Sequence, residues 1–148
     1  PRMGPPVAPL VAGAYLPDVH ARLVLYKRIS AVESETELDD LQAETVDRFG
    51  LLPEPAKNLF RIARLRIAEA VLAVERLDVA PAGGSVTFAD SSPIDPGELI
   101  VLVQRSGRAM RFDGPNKLRF TGAHDEPEQR FDAAARLLAG LARCVNQR

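Results

Sequence analysis

Seven carboxylates fall between Glu33 and Asp47 with no basic residue among them: Glu33, Glu35, Glu37, Asp39, Asp40, Glu44 and Asp47. Glu37, Asp40, Glu44 and Asp47 are spaced by three, four and three positions. At about 100° per residue, a helix gathers these four into one narrow stripe. Like charges at such spacings repel by roughly 0.2–0.5 kcal/mol per pair in an isolated helix. The helix dipole offsets this near the N-terminal end, where Ser34 and Glu37 match a capping box. Glu44 and Asp47 lie in later turns, where the dipole disfavours them. Their charge calls for cations. Arg28, Arg48, Arg61, Arg64 and Arg66 could supply them within the chain. The sharper expectation is a ridge that its own domain leaves unneutralised and that docks on a basic protein surface, which would speed encounter and set orientation.

A second cluster has the opposite sign. Arg105, Arg108, Arg111, Lys117 and Arg119 are opposed only by Asp113 between Val101 and Phe120. They could touch phosphate, which makes nucleic-acid contact the alternative reading. The interleaved aromatics of a single-strand binder are missing, because Phe112 and Phe120 follow a strand alternation and are expected in the core.

Catalytic groupings do not assemble. His20 and His124 fall on separate elements, and neither has metal-ligand spacing. No Ser or Cys nucleophile sits at a recognisable elbow beside either. Cys144 reads as a small apolar residue of the last helix. Gly83-Gly84 lacks the Lys and Ser/Thr of a phosphate-binding loop and reads as a hairpin turn. The expectation is a non-enzymatic domain with no metal and no cofactor.

The elements that carry these residues follow from pattern. Asp18 caps a first helix with Val19, Leu23, Tyr26 and Ile29 on its apolar face. Ser34 opens a second, with Leu38, Leu41, Thr45 and Phe49 inward and Gly50 at its end. Pro53 and Pro55 start a third, whose face continues through Leu59, Ile62, Ala63, Ile67, Ala70, Val71 and Val74. Arg76–Ala80 and Ser85–Ala89 read as one hairpin. Asp95 and Pro96 begin a short helix through Leu99, Ile100, Leu102 and Val103. Ala109–Phe112 and Lys117–Thr121 read as a second hairpin, and a last helix starts near Pro127. The order ααα-ββ-α-ββ-α is an α+β fold.

The 148 residues suit a single domain, with 46% hydrophobic and 26% charged residues and a net charge of −1. That near-neutral balance counts against a dedicated nucleic-acid binder. No window holds eighteen apolar residues in a row, so no membrane span and a cytoplasmic location are expected. Residues 1–14, with four prolines and no initiating Met, read as a linker or cut end of a longer protein, ahead of one domain over residues 15–148.

Several strings together resemble a known family. Arg22-Leu-Val-Leu-Tyr26-Lys-Arg28-Ile29 is followed by Glu44-Thr-Val-Asp47-Arg48-Phe49-Gly50-Leu-Leu-Pro53, then Asn58-Leu-Phe-Arg-Ile62-Ala-Arg-Leu-Arg66, then Phe112-Asp-Gly114-Pro115-Asn-Lys117-Leu118. This is similar to the C-terminal domain of bacterial transcription–repair coupling factors, from Tyr15 to about Phe120 by residue and beyond by pattern. The resemblance implies a regulatory piece of an ATP-driven DNA translocase. The parent would remove stalled RNA polymerase from DNA and recruit excision repair through UvrA. This domain would lack the motor and would act as an autoinhibitory clasp. It would cover the UvrA-binding surface of a UvrB-like N-terminal module in the same chain. The acidic positions carried over are Glu44 and Asp47, with Asp40 and Glu37 in the same stripe. Two departures stand out. Pro1–Val11 match poorly, and Ala73 replaces the family's usual Gly at the end of the third helix. An Ala held left-handed there costs ~1 kcal/mol, or the helix ends in another way.

Overall fold

A computed structural model describes residues 18–145. The expected linker over residues 1–14 lies outside them. The described chain divides into two compact units, one running up to Ile67 and the other from Ala68 onward, with the boundary inside the third helix.

The first unit is helical. Asp18 accepts a hydrogen bond from the His20 N–H at 2.9 Å and starts α1, Val19–Ala31. α2 is Glu35–Phe49, and its C-cap Gly50 stands at φ 95°, a conformation that favours glycine. α3 is Glu54–Val71. Leu25, Ile29, Leu38, Leu41, Phe60, Ala63 and Ile67 form the core between the helices. On α1 the buried residues are Leu25 and Ile29, whereas Val19 and Leu23 are 58% and 52% exposed. The expected α1 stripe is therefore rotated, because Val19 and Leu23 share a helical spacing with Tyr26 but face water. Phe49 is also partly exposed, beneath the Arg48 guanidinium at 5.0 Å from its ring centroid. Arg66 ties off α1, donating through Nη2 to the Ile29 and Val32 carbonyls at 3.0 and 3.2 Å.

The second unit is a four-stranded antiparallel sheet in the order β1-β2-β4-β3, with helices α4 and α5. The strands are β1 Val74–Ala80, β2 Gly83–Phe88, β3 Met110–Phe112 and β4 Lys117–Thr121. α4 is Pro96–Arg105, followed by a 3-10 turn at Gly107–Ala109, and α5 is Pro127–Ala142. The element order matches the α+β expectation. Leu77, Val86, Leu118, Phe120, Ala134, Leu138 and Leu141 are buried and join the inner sheet face to α5.

Three local expectations are corrected. Val74 opens β1 instead of extending α3, since the helix stops at Val71 and Ala73 turns left-handed at φ 52°. The first hairpin turns at Pro81-Ala82, because Ala80 pairs with Gly83. Gly83 and Gly84 are strand residues whose missing Cβ atoms make room: one on Gly84 would strike the Asp78 carbonyl and the Phe120 ring, and one on Gly83 the Phe120 carbonyl. Phe112 is 43% exposed, because β3 is a three-residue edge strand with little to cover it.

Candidate functional site

α2 presents the acidic residues. Ser34 Oγ accepts from the Glu37 N–H at 3.1 Å. The Glu37 carboxylate makes no return bond to the Ser34 N–H, so the expected capping box is half formed. Glu37, Asp40 and Glu44 line one depression together with Arg28 and Leu41. Asp47 lines the neighbouring one with Asp39, Gln42, Val46 and Arg64. The stripe thus straddles two shallow surfaces along one helix.

Glu44 does not wait for an outside cation. Arg28 of α1 grips it as a fork, Nη1 donating to Oε2 and Nη2 to Oε1. Those hydrogen bonds hold the Glu44 carboxyl below the usual carboxylate range and push Arg28 up. This corrects the expectation of an unneutralised row: the packing of α1 beside α2 brings a cation sixteen residues away in sequence to Glu44. Arg64 of α3 similarly takes Glu35 at 3.2 Å and Asp39 at 2.9 Å. Glu37, Asp40 and Asp47 have neither a hydrogen bond nor an ion pair through their carboxylates among the described residues.

The basic cluster divides too. Arg108, Arg111 and Arg119 line one shallow depression over Ala80, Gly83 and Thr121. Arg105 ends α4 outside it, and Lys117 approaches Asp113 at 4.0 Å. Arg119 Nε donates to Asp113 Oδ2 at 2.6 Å, the main reason the Asp113 carboxyl is held below its usual range.

The His124 ring is buried, with Nδ1 donating to the Ala80 carbonyl at 3.1 Å, while His20 is exposed on α1. Cys144 is buried and burial pushes its thiol up, away from reactive thiolate. Among the described residues no group of three or more His, Cys, Asp or Glu could hold a metal. No helix among the described residues is long and apolar enough to cross a membrane. Sequence reasoning missed Glu69, which is 3% exposed with Oε2 lacking any hydrogen-bond partner among the described residues, and whose pKa burial raises to about 7. The buried neighbours Leu65 and Leu72, four positions before Glu69 and three after it, were the available signal.

Comparison with known proteins adds family context. The model of the TRCF domain matches residues 6–99. The transcription-repair-coupling factor of Haemophilus influenzae is 40% identical over 136 residues, covering 92% of this chain and 12% of the relative. That of Escherichia coli is 39% identical over 123 residues, covering 83% and 11%. The chain therefore spans about 12% of the length of such relatives. A crystal structure of the C-terminal domain of transcription-repair coupling factor has the same fold, with a TM-score of 0.71 at 16% identity, covering 91% of this chain and 87% of that one.

Proposed function

Because the chain belongs to the TRCF domain family, the C-terminal domain of transcription–repair coupling factors, we propose that it is a non-catalytic autoinhibitory clasp. In this reading the outer face of α2 closes on a UvrB-like N-terminal module of the parent and masks its UvrA-binding surface. The parent is then a cytoplasmic DNA translocase that works on stalled RNA polymerase. The observation that carries the reading is the set of unpaired carboxylates Glu37, Asp40 and Asp47 flanking Glu44 on one exposed helix face.

The Arg28–Glu44 fork changes how the clasp works. Each Glu44 oxygen accepts one Arg28 donor and keeps a second lone pair. Glu44 is thereby held in one rotamer and can still accept from a cation on the partner. Asp47 and Asp40 supply the charge that the domain leaves free. A closed-to-open ratio of 99:1 needs only about 2.7 kcal/mol. A few rim ion pairs at ~0.2–1 kcal/mol each, with modest apolar contact, reach that value. Tethering in one chain helps, through effective concentrations in roughly the millimolar range.

The test is charge reversal in the parent. Glu44→Lys with Asp47→Lys should raise UvrA capture and translocase activity above the intact protein. Wild-type levels of both would refute the clasp.

A further inference from the structure

We propose that the solvent-facing side of the β1-β2-β4-β3 sheet carries a contact site for the phosphodiester backbone of duplex nucleic acid, centred on Arg108, Arg111 and Arg119. The sheet register places Arg111 directly opposite Arg119. Like charges directly opposite in a ladder are unfavourable; Asp113 hydrogen-bonds Arg119 through its Nε and acts on Arg111 only at longer range, without an ion pair. Arg108, on the 3-10 turn, joins the same depression. Arg108 and Arg111 have no carboxylate within ion-pair distance among the described residues. Asp78, an acid on this face opposite Ser85, is taken by Arg76 at 2.7 Å.

The floor of the depression explains what can approach. Ala80 pairs with Gly83 and Gly83 with Thr121, so small residues run across three strands beside the arginines. Gly83 has no side chain to keep a ligand away from the strand backbone. The depression is about 340 Å³ and open to solvent. Its open side lets an extended polyanion lie across several arginines at once.

Two features select duplex phosphate among polyanions. First, the aromatics lie on the wrong side for base stacking. Phe112 pairs with Leu118 and Met110 with Phe120, in alternation with the Arg111–Arg119 pair, so both Phe side chains project to the opposite face, and Phe120, which borders the depression, is buried. Single-strand binding needs stacking platforms, which this face lacks. Second, a duplex carries one charge per roughly 1.7 Å of axis, whereas an extended acidic peptide carries at most one per roughly 3.3 Å. A compact group of three guanidinium ions matches the denser charge. The site is sequence-independent, because backbone contacts position without specifying.

The test is a fluorescence anisotropy titration of a short labelled DNA duplex with the chain at low salt. Binding should fall with a logarithmic salt slope of roughly −2 to −3, as two or three phosphate contacts require. Arg108→Ala with Arg111→Ala should weaken it roughly tenfold. Arg108→Lys with Arg111→Lys keeps the charge and should restore most of it. Arg136→Ala, which removes one charge from an exposed position of α5 as Arg111→Gln does from the sheet, should leave affinity unchanged. Circular dichroism checks folding, and Arg111→Gln alone carries the test if the double variant unfolds. The proposal is overturned by absence of binding at low salt, by an unaltered arginine variant, or by an equal loss in Arg136→Ala. Displacement of the duplex by polyglutamate at lower charge concentration than by unlabelled duplex would also overturn it, reassigning the face to an acidic polypeptide.

Discussion

Single residues hold identifiable amounts of stability. Ala73 sits at φ 52° after α3, the one non-glycine residue at positive φ among those described, and its carbonyl accepts from the Ala89 N–H at 2.9 Å. A Cβ is crowded in that conformation. Ala73→Gly should therefore stabilise by ~0.5–1 kcal/mol, read as a higher urea midpoint, once the greater freedom of unfolded glycine is subtracted. Gly84→Ala should do the reverse, costing about 1–3 kcal/mol, since its Cβ has only backbone and ring to push against. Glu69 makes stability depend on pH. Its folded pKa of about 7 lies above the unfolded value, so the native state keeps a proton that the unfolded chain has lost. Stability should fall as pH rises from about 4.5 to about 7 and then level off. Glu69→Met should flatten that slope and stabilise at pH 8 by on the order of 1–3 kcal/mol, measured by denaturation across the pH range.

At the scale of elements, α2 is held between cations from both neighbours. Arg28 of α1 takes Glu44, and Arg64 of α3 takes Glu35 and Asp39. Arg28→Ala should return the Glu44 carboxyl toward its ordinary pKa, seen as an upward shift in a carboxyl NMR titration. In the proposed clasp, the same change in the parent leaves Glu44 to the partner surface, so UvrA masking should persist. Arg64→Ala removes two exposed pairs and should cost about 0.5–1 kcal/mol, less at high salt. α4 is a contrast, an apolar helix with no buried residue, in which Ile100 and Val101 are 47% and 40% exposed.

At the scale of the whole chain, a net charge of −1 conceals two fields of opposite sign, acidic on α2 of the helical unit and basic on the outer face of the sheet unit. Both proposed contacts are rim electrostatics and share one response. Rising ionic strength shortens the screening length from about 10 Å at 0.1 M to about 3 Å at 1 M. UvrA capture by the parent should then increase with salt up to the point where the UvrA contact itself weakens. A masking unaffected by salt would mean that apolar contact holds the clasp.

Local chemistry was enough to read much of this chain. Asp18, Ser34, Asp95 and Pro127 mark helix starts because capping depends on a few adjacent residues. The second hairpin turn at Asp113–Asn116 and the element order follow from similar short-range signals. The placement of four carboxylates along α2 follows from helix period alone. Their neutralisation could not be read that way, because the choice of Arg28 for Glu44 and Arg64 for Asp39 depends on how helices pack across long stretches of chain. The rotation of α1, the exposure of Phe112 and the burial of Glu69 have the same origin. Periodicity says which residues share a face, and neighbouring elements settle which face meets water. The arginine trio of the sheet formed in the same way, as strand pairing set Arg111 against Arg119 and the 3-10 turn delivered Arg108 beside them.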